Sequence, residues 1–304
     1  MGGSAADRRT RVTVLVALAA NLVIAAAKTA GGLVSGSPAL LSEAAHSVAD
    51  SLNEVFLLAA LRRSRRPADA RHPFGYGKER FFWALLAAVG IFVMGGCFSF
   101  YQGLSALRRD GPEPPEGYTA GLIVLGVAFA AEATSLGRAL HQARGERRGA
   151  LDPALRTVIA EDGTAVLGVT LAMAGMVLHL TTGGVVWEAA ASLGIGLLLV
   201  YVAFRLGRDA RDQLIGEAVD PGLRNDLVGF LMGQGEIDNV AELLTMRLGM
   251  DSVLIAARID LAPGIDSERV EEVSMRIREA MAGRWPQADQ VFLDITNAPP
   301  RAGR

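Results

Sequence analysis

Long apolar runs separated by short polar breaks fill the first two thirds of the chain, and ordinary soluble patterning takes over afterwards. Six runs reach the roughly 20 residues a helix needs to cross the hydrocarbon of a bilayer: approximately Val12–Val34, Pro38–Leu61, Phe81–Leu107, Tyr118–Leu140, Ala154–Leu180 and Val185–Leu206. From about Arg208 the period changes. Pro221–Gly233 reads as a helix with Leu223, Leu227, Phe230 and Leu231 on one side, and Val240–Leu248 and Val253–Leu261 read as strands. Ala241–Met246 fits either helix or strand. A further helix carrying Val270, Val273, Ile277 and Met281 is capped by Asp266 or Ser267, and Val291–Ile295 is a last strand. The expected fold is thus an all-α membrane domain of six transmembrane helices, residues 1–207, followed by a small α+β domain, residues 208–304, in the order α-β-β-α-β. The tail after Asn297 is expected to be unstructured.

Charge changes this picture in one way: it orients it. The loop from Arg62 to Arg80 and the one around Arg144, Arg147 and Arg148 are basic, whereas Gly36–Pro38 and Thr181–Gly184 are uncharged. The positive-inside rule puts the basic loops, and both termini with them, on the cytoplasmic side of a multi-pass protein, in a bacterium the inner (plasma) membrane. The connection holding Arg108, Arg109, Asp110 and Glu113 is then the exception, since it faces outside. Arg8, Arg9 and Arg11 lead into a span too long for a signal peptide, so no cleavable signal is expected. The net charge of −2 offers nothing to nucleic acid, and a single cysteine, Cys97, excludes internal disulfides and a cysteine-based zinc site.

The polar residues inside the spans carry the chemistry. In Ser42–Glu54 of the second run, His46 and Asp50 project in nearly the same direction, with Glu43, Asn53 and Glu54 near that stripe. A carboxylate at mid-membrane costs several kcal/mol unless water, a counter-charge or a metal shares its charge. His and Asp at i, i+4 form half of a tetrahedral site for a divalent metal. The alternative is that the two hydrogen-bond each other or a neighbouring helix and serve only packing; Glu43 and Asn53 alongside favour the metal. The fifth run holds Glu161 and Asp162, about 100° apart, of which Asp162 is expected to face inward because Gly163 and Val166 let a neighbouring helix approach. Lys28 is the only basic residue deep in a span. It neutralises one acid and leaves several.

Other polar positions are weaker. Glu188, beside Trp187, reads as a solvated acid at a helix end. Glu132 either lines a pathway or bonds a hydroxyl such as that of Thr134, and Asn21 carries little signal. His141 and His179 lie near span ends without a constellation. In Arg71–Arg80 the residues Pro73, Gly75 and Gly77 enforce a turn, the charges suit anionic headgroups, and His72 with Asp69 is either a second metal site or merely solvated. The last domain has no His or Cys.

Three stretches then carry a resemblance. Ser37-Pro-Ala-Leu-Leu-Ser-Glu-Ala-Ala-His-Ser-Val-Ala-Asp50, His72-Pro-Phe-Gly-Tyr-Gly-Lys-Glu79 and Trp187-Glu-Ala-Ala-Ala-Ser-Leu-Gly-Ile-Gly196 are similar to the cation diffusion facilitator family, from about Asn21 to Ile295. The loop and Glu161–Gly168 are similar to the branch containing the mitochondrial zinc transporter of animals. The resemblance implies a six-helix membrane domain, a cytoplasmic ferredoxin-like domain, a homodimer, and exchange of Zn²⁺ or a similar divalent ion for protons. It also implies a transport site of His/Asp pairs four apart on the second and fifth helices. His46 and Asp50 match the first pair and Asp162 the last member, while Val158 stands where the family has a ligand. Glu161, Glu43 or Asn53 then completes the shell. Tyr76 stands where some relatives have a further His.

Chemistry makes such a site an antiporter. Ligands shed protons to bind metal, and the imidazole changes charge near neutral pH, so metal and protons compete for one set of atoms. Imidazole favours Zn²⁺ over Mg²⁺ and Ca²⁺ but leaves Mn²⁺, Co²⁺, Fe²⁺ and Ni²⁺ open. A rival reading is a non-transporting metal-binding scaffold or regulatory protein acting through the last domain. An intramembrane metalloenzyme ranks below both, because no His-Glu-x-x-His helix motif supplies a general base. No enzyme activity is expected.

Overall fold

The computed structural model describes residues 3–108, 117–145 and 153–296. Arg109, Asp110, Glu113, Arg147, Arg148 and the tail after Asn297 lie outside them. Helix α1 spans Gly3–Ser35 and α2 Pro38–Arg63. Gly36 ends α1 at φ +68°, a left-handed turn that a side chain would strain. Ser37 then caps α2, its Oγ accepting from the Leu40 amide at 3.2 Å, with Pro38 in the first turn where its missing N–H costs nothing. The remaining helices are α3 (Glu79–Gly90), α4 (Phe98–Leu107), α5 (Tyr118–Gly145), α6 (Pro153–Thr182), α7 (Val186–Ile215), α8 (Pro221–Met232) and α9 (Ser267–Arg284).

Two expectations about the spans change. Five helical stretches among the described residues are long and apolar enough to cross a membrane: Leu18–Ser35, Glu79–Leu107, Tyr118–Arg144, Ile159–Thr182 and Val186–Ile215. The expected second span forms as the 26-residue α2, but Glu43, His46, Asp50 and Glu54 leave it too polar for that criterion. The expected third span is not one regular helix. Ile91–Cys97 between α3 and α4 is a π-helix. There Gly95 and Gly96 lie close to Leu199 and Val200 of α7, where an added β-carbon would come within 2.8 Å of a methyl carbon. Gly163 has open space around it, so it draws no helix near; Gly168 and Gly175 are the close approaches on α6.

The chain packs as two units: Met1–Ala59 with Ala84–Arg208, and Ala60–Trp83 with Asp209–Arg304. In the first, Leu40, Leu125, Val169, Met176, Ile195 and Leu199 fill the middle of the helices. In the second, α8 and α9 cover one face of a three-stranded sheet, β1 (Ile237–Arg247), β2 (Val253–Leu261) and β3 (Gln290–Ile295), with β1 antiparallel and β3 parallel to β2. The period-2 alternation works as physics requires: Val253, Ile255, Ala257 and Ile259 point into the core against Leu227, Leu231, Ile277 and Met281. Asp220 caps α8 and Asp266, not Ser267, caps α9 by accepting from Arg269.

Glu236, just ahead of β1, holds Arg269 and Arg276 of α9 at 2.8 and 2.6 Å. The Arg276 hydrogen bond, followed by those of its own amide and Arg269, pulls its carboxyl down to about 2. A depressed folded value means stability present above the ordinary glutamate range and lost as pH falls towards 2. The unfolding midpoint of the full chain in detergent should therefore drop less between pH 5 and pH 3 in Glu236→Gln than in the native protein. Equal drops would show that this ion pair does not tie α9 to the sheet.

Candidate metal centre

The polar stripe of α2 faces the other helices. His46 is buried, and neither of its ring nitrogens has a hydrogen-bond partner. Its Nε2 lies 3.6 Å from Asp50 Oδ2, beyond hydrogen-bond distance. The two form an ion-pair contact and not a hydrogen bond, and among the described residues no neighbouring helix hydrogen-bonds the imidazole. Two ligands on a tetrahedral ion with arms of 2.0–2.2 Å stand about 3.3–3.6 Å apart, so the pair has the spacing of a metal bite.

Around this pair the acids gather. His46, Lys28 of α1, Glu43 and Asp162 of α6 all lie within electrostatic reach of Asp50. One oxygen of Asp162, Oδ2, is buried and unpartnered, whereas Glu161 is exposed and accepts a hydrogen bond from Asn53 of α2. Asn21 of α1 donates to Glu54 at 2.9 Å. The side chain of Val158 lies outside the described residues. No three His, Cys, Asp or Glu side chains among the described residues are close enough together to hold an ion. The His46–Asp50 spacing is set within one helix, by the i, i+4 relation.

Glu43, a candidate ligand by sequence, has another partner. Lys28 Nζ, fully buried, donates to Glu43 at 3.0 Å and to Glu132 of α5 at 3.2 Å. Its single charge is thus shared between two acids. Glu132 does not bond Thr134, whose hydroxyl donates to the Ala130 carbonyl. A β-carbon at Gly168 of α6 would collide with Glu43 Oε1, so the glycine makes room for the carboxylate.

Asp69 in the basic loop is already occupied. It accepts from the Arg71 and His72 amides at 2.9 and 2.7 Å and from the Tyr76 hydroxyl at 2.7 Å. Those donors, Tyr76 first, hold its carboxyl below the usual range, and the same bond raises the Tyr76 phenol. Both amides are on Oδ1 and Tyr76 on Oδ2, and His72 Nδ1 stands 3.7 Å from Oδ1, so these bonds already fix the orientation of the Asp69 carboxylate. The loop is an ordered turn, with Lys78 reaching the Leu214 carbonyl and Gly77 lying against Leu248.

Sequence reasoning missed one cluster. Glu188 of α7 is not solvated but 0 % exposed, taking the hydroxyls of Ser37 and, at 2.5 Å, Tyr118, with His179 of α6 3.4 Å away. His179 therefore does have a constellation. The signal was there only in part: an acid and a histidine flank the same short turn, but their partners are far away in sequence.

Residues 14–215 match the family described as the cation efflux transmembrane domain. The chain is 32% identical over 268 residues to metal tolerance protein C4 of Arabidopsis thaliana, covering 84% of this chain and 58% of that protein. It is 30% identical over 258 residues to the mitochondrial proton-coupled zinc antiporter SLC30A9 of Xenopus laevis, covering 81% of this chain and 46% of that one. It spans about half the length of these two relatives. With the manganese efflux system protein MneP of Bacillus subtilis it shares 23% identity over 296 residues, 95% of this chain and 96% of that protein.

Proposed function

Because the chain belongs to the cation efflux (cation diffusion facilitator) family, on the SLC30A9-like branch, we propose that it exports a divalent transition-metal cation from the cytoplasm in exchange for protons. Zn²⁺ is the first choice, with Mn²⁺, Co²⁺, Fe²⁺ and Ni²⁺ as lesser substrates. The family is one of transporters, not enzymes, and its apolar helices make the chain a multi-pass membrane protein. In this reading α2 is the sixth span, residues 1–207 form the transport domain and residues 208–304 a ferredoxin-like cytoplasmic domain. Both termini face the cytoplasm, in a bacterium behind the inner membrane, and two copies form a homodimer.

The single observation that carries the reading is His46: a buried imidazole with two free nitrogens, at bite distance from Asp50. A buried imidazole whose nitrogens have no partner is costly unless a ligand completes it. The ion is held by His46, Asp50 and Asp162, with Glu161 as fourth ligand and Asn53 orienting it. Glu43 gives Oε2 to Lys28 and keeps Oε1 unpartnered, so it remains an alternative to Glu161 as the fourth ligand. Zn²⁺ favours the imidazole, and the carboxylates admit harder ions. Release needs no separate machinery, because protons arriving from the far side take the same lone pairs.

Reconstitution tests this directly. Proteoliposomes loaded with a pH indicator should take up Zn²⁺ and show proton counter-movement that stops when the metal is chelated. Metal uptake with no proton movement would refute the exchange, and tight binding with no uptake would favour a metal-binding scaffold.

A further inference from the structure

At the Ser37 end of the bundle, remote along α2 from the basic loop, four helices meet around one carboxylate. Glu188 at the start of α7 is fully buried. Its Oε2 accepts from the Ser37 hydroxyl, which itself caps α2, and its Oε1 accepts from Tyr118 at the start of α5. His179, near the end of α6, is 8 % exposed, and its ring lies 5.4 Å from that of Tyr118, centroid to centroid. Its Nδ1 has no hydrogen-bond partner, although it stands 3.4 Å from Glu188 Oε1.

We propose that His179 Nδ1 and Glu188 Oε1 form a second transition-metal site at this end of the bundle, separate from the one built on His46. Each carboxylate oxygen has two lone pairs, and Tyr118 uses one of those on Oε1. The remaining one faces an imidazole nitrogen that likewise has nothing to bond. The 3.4 Å between them is the edge of a tetrahedron with arms of zinc length. No Lys or Arg is paired to Glu188 among the described residues, so the buried charge has only two hydroxyls and one imidazole to meet it. Ser37 and Tyr118 hold the carboxylate in orientation, as outer partners of metal ligands do. Two protein ligands, with water completing the shell, make a weak site. Weak binding is what an ion on its way out requires, since a site that holds tightly does not release.

The proposal deepens the transport reading by giving the ion a second stop, but its test does not need transport. The chain has four histidines. In tag-free full-length protein carrying His46→Ala, Asp50→Asn, His72→Ala and His141→Ala, His179 is the only imidazole left. Equilibrium dialysis should find one Zn²⁺ retained per chain, and X-ray absorption at the zinc edge should show an imidazole in its shell. Adding Glu188→Gln, which keeps size and an acceptor for one of the two hydroxyls, should weaken that binding about tenfold or more. No retained zinc, or zinc in an oxygen-only shell, would overturn the proposal. So would an imidazole-bound zinc indifferent to Glu188→Gln in protein with an unchanged gel-filtration profile. Failure of the native protein to move zinc would instead count against the transport reading.

Discussion

Replacing His46 with alanine should reduce zinc flux in proteoliposomes by at least about 100-fold while leaving the unfolding midpoint nearly unchanged. The flux estimate follows from the loss of a first ligand, since even outer partners of a metal ligand are worth 10–100-fold. The stability estimate follows from what His46 does not do: with neither nitrogen bonded, its removal breaks no hydrogen bond. The small cavity left behind is offset by relief from two unsatisfied buried atoms. Asp50→Asn should behave alike, because the amide keeps the shape and loses the charge. Flux within threefold of native for His46→Ala would remove this residue from the site and leave the antiport scheme without its proton carrier.

Lys28→Met should have the largest structural effect in the membrane unit. Its ammonium lies between Glu43 and Glu132, and taking it away leaves two carboxylates without a counter-charge in a dry interior. Breaking a buried ion pair on one side costs about 3–5 kcal/mol, whereas replacing every partner together can be close to neutral. The unfolding midpoint of Lys28→Met in detergent should accordingly fall by roughly 10 °C. The triple variant Lys28→Met/Glu43→Gln/Glu132→Gln should recover most of that loss. If the triple variant is as unstable as the single one, Lys28 acts through the packing of its stem and not through charge.

These two residues also show what a sequence discloses. His46 and Asp50 are legible because one helix brings them together: the period of 3.6 residues fixes their bite before any tertiary structure forms. Strand β2 and the cap of α9 are legible for the same reason, since alternation and an Asp ahead of a periodic stripe are local. Lys28 with Glu132, 104 positions apart, is not, and neither is Ser37 with Glu188 at 151. Such pairs are created by how helices are laid side by side. The break in the third span escaped for another reason. Ile91–Cys97 is apolar whether its turns are α or π, and only the approach to Leu199 and Val200 distinguishes them. For the adjacent acids the sequence points to Asp162 as the inward one, and its Oδ2 is buried, but it does so through Gly163, which has open space around it.

One seam has a dynamic consequence. Glu43 of α2 is seated where Gly168 of α6 makes space, and Asn53, further along α2, is tied to Glu161 of α6. Two ties at separate levels along α2 oppose its sliding past α6, and in the proposed transport scheme this seam is expected to resist rearrangement while the broader packing of α6 is against α5.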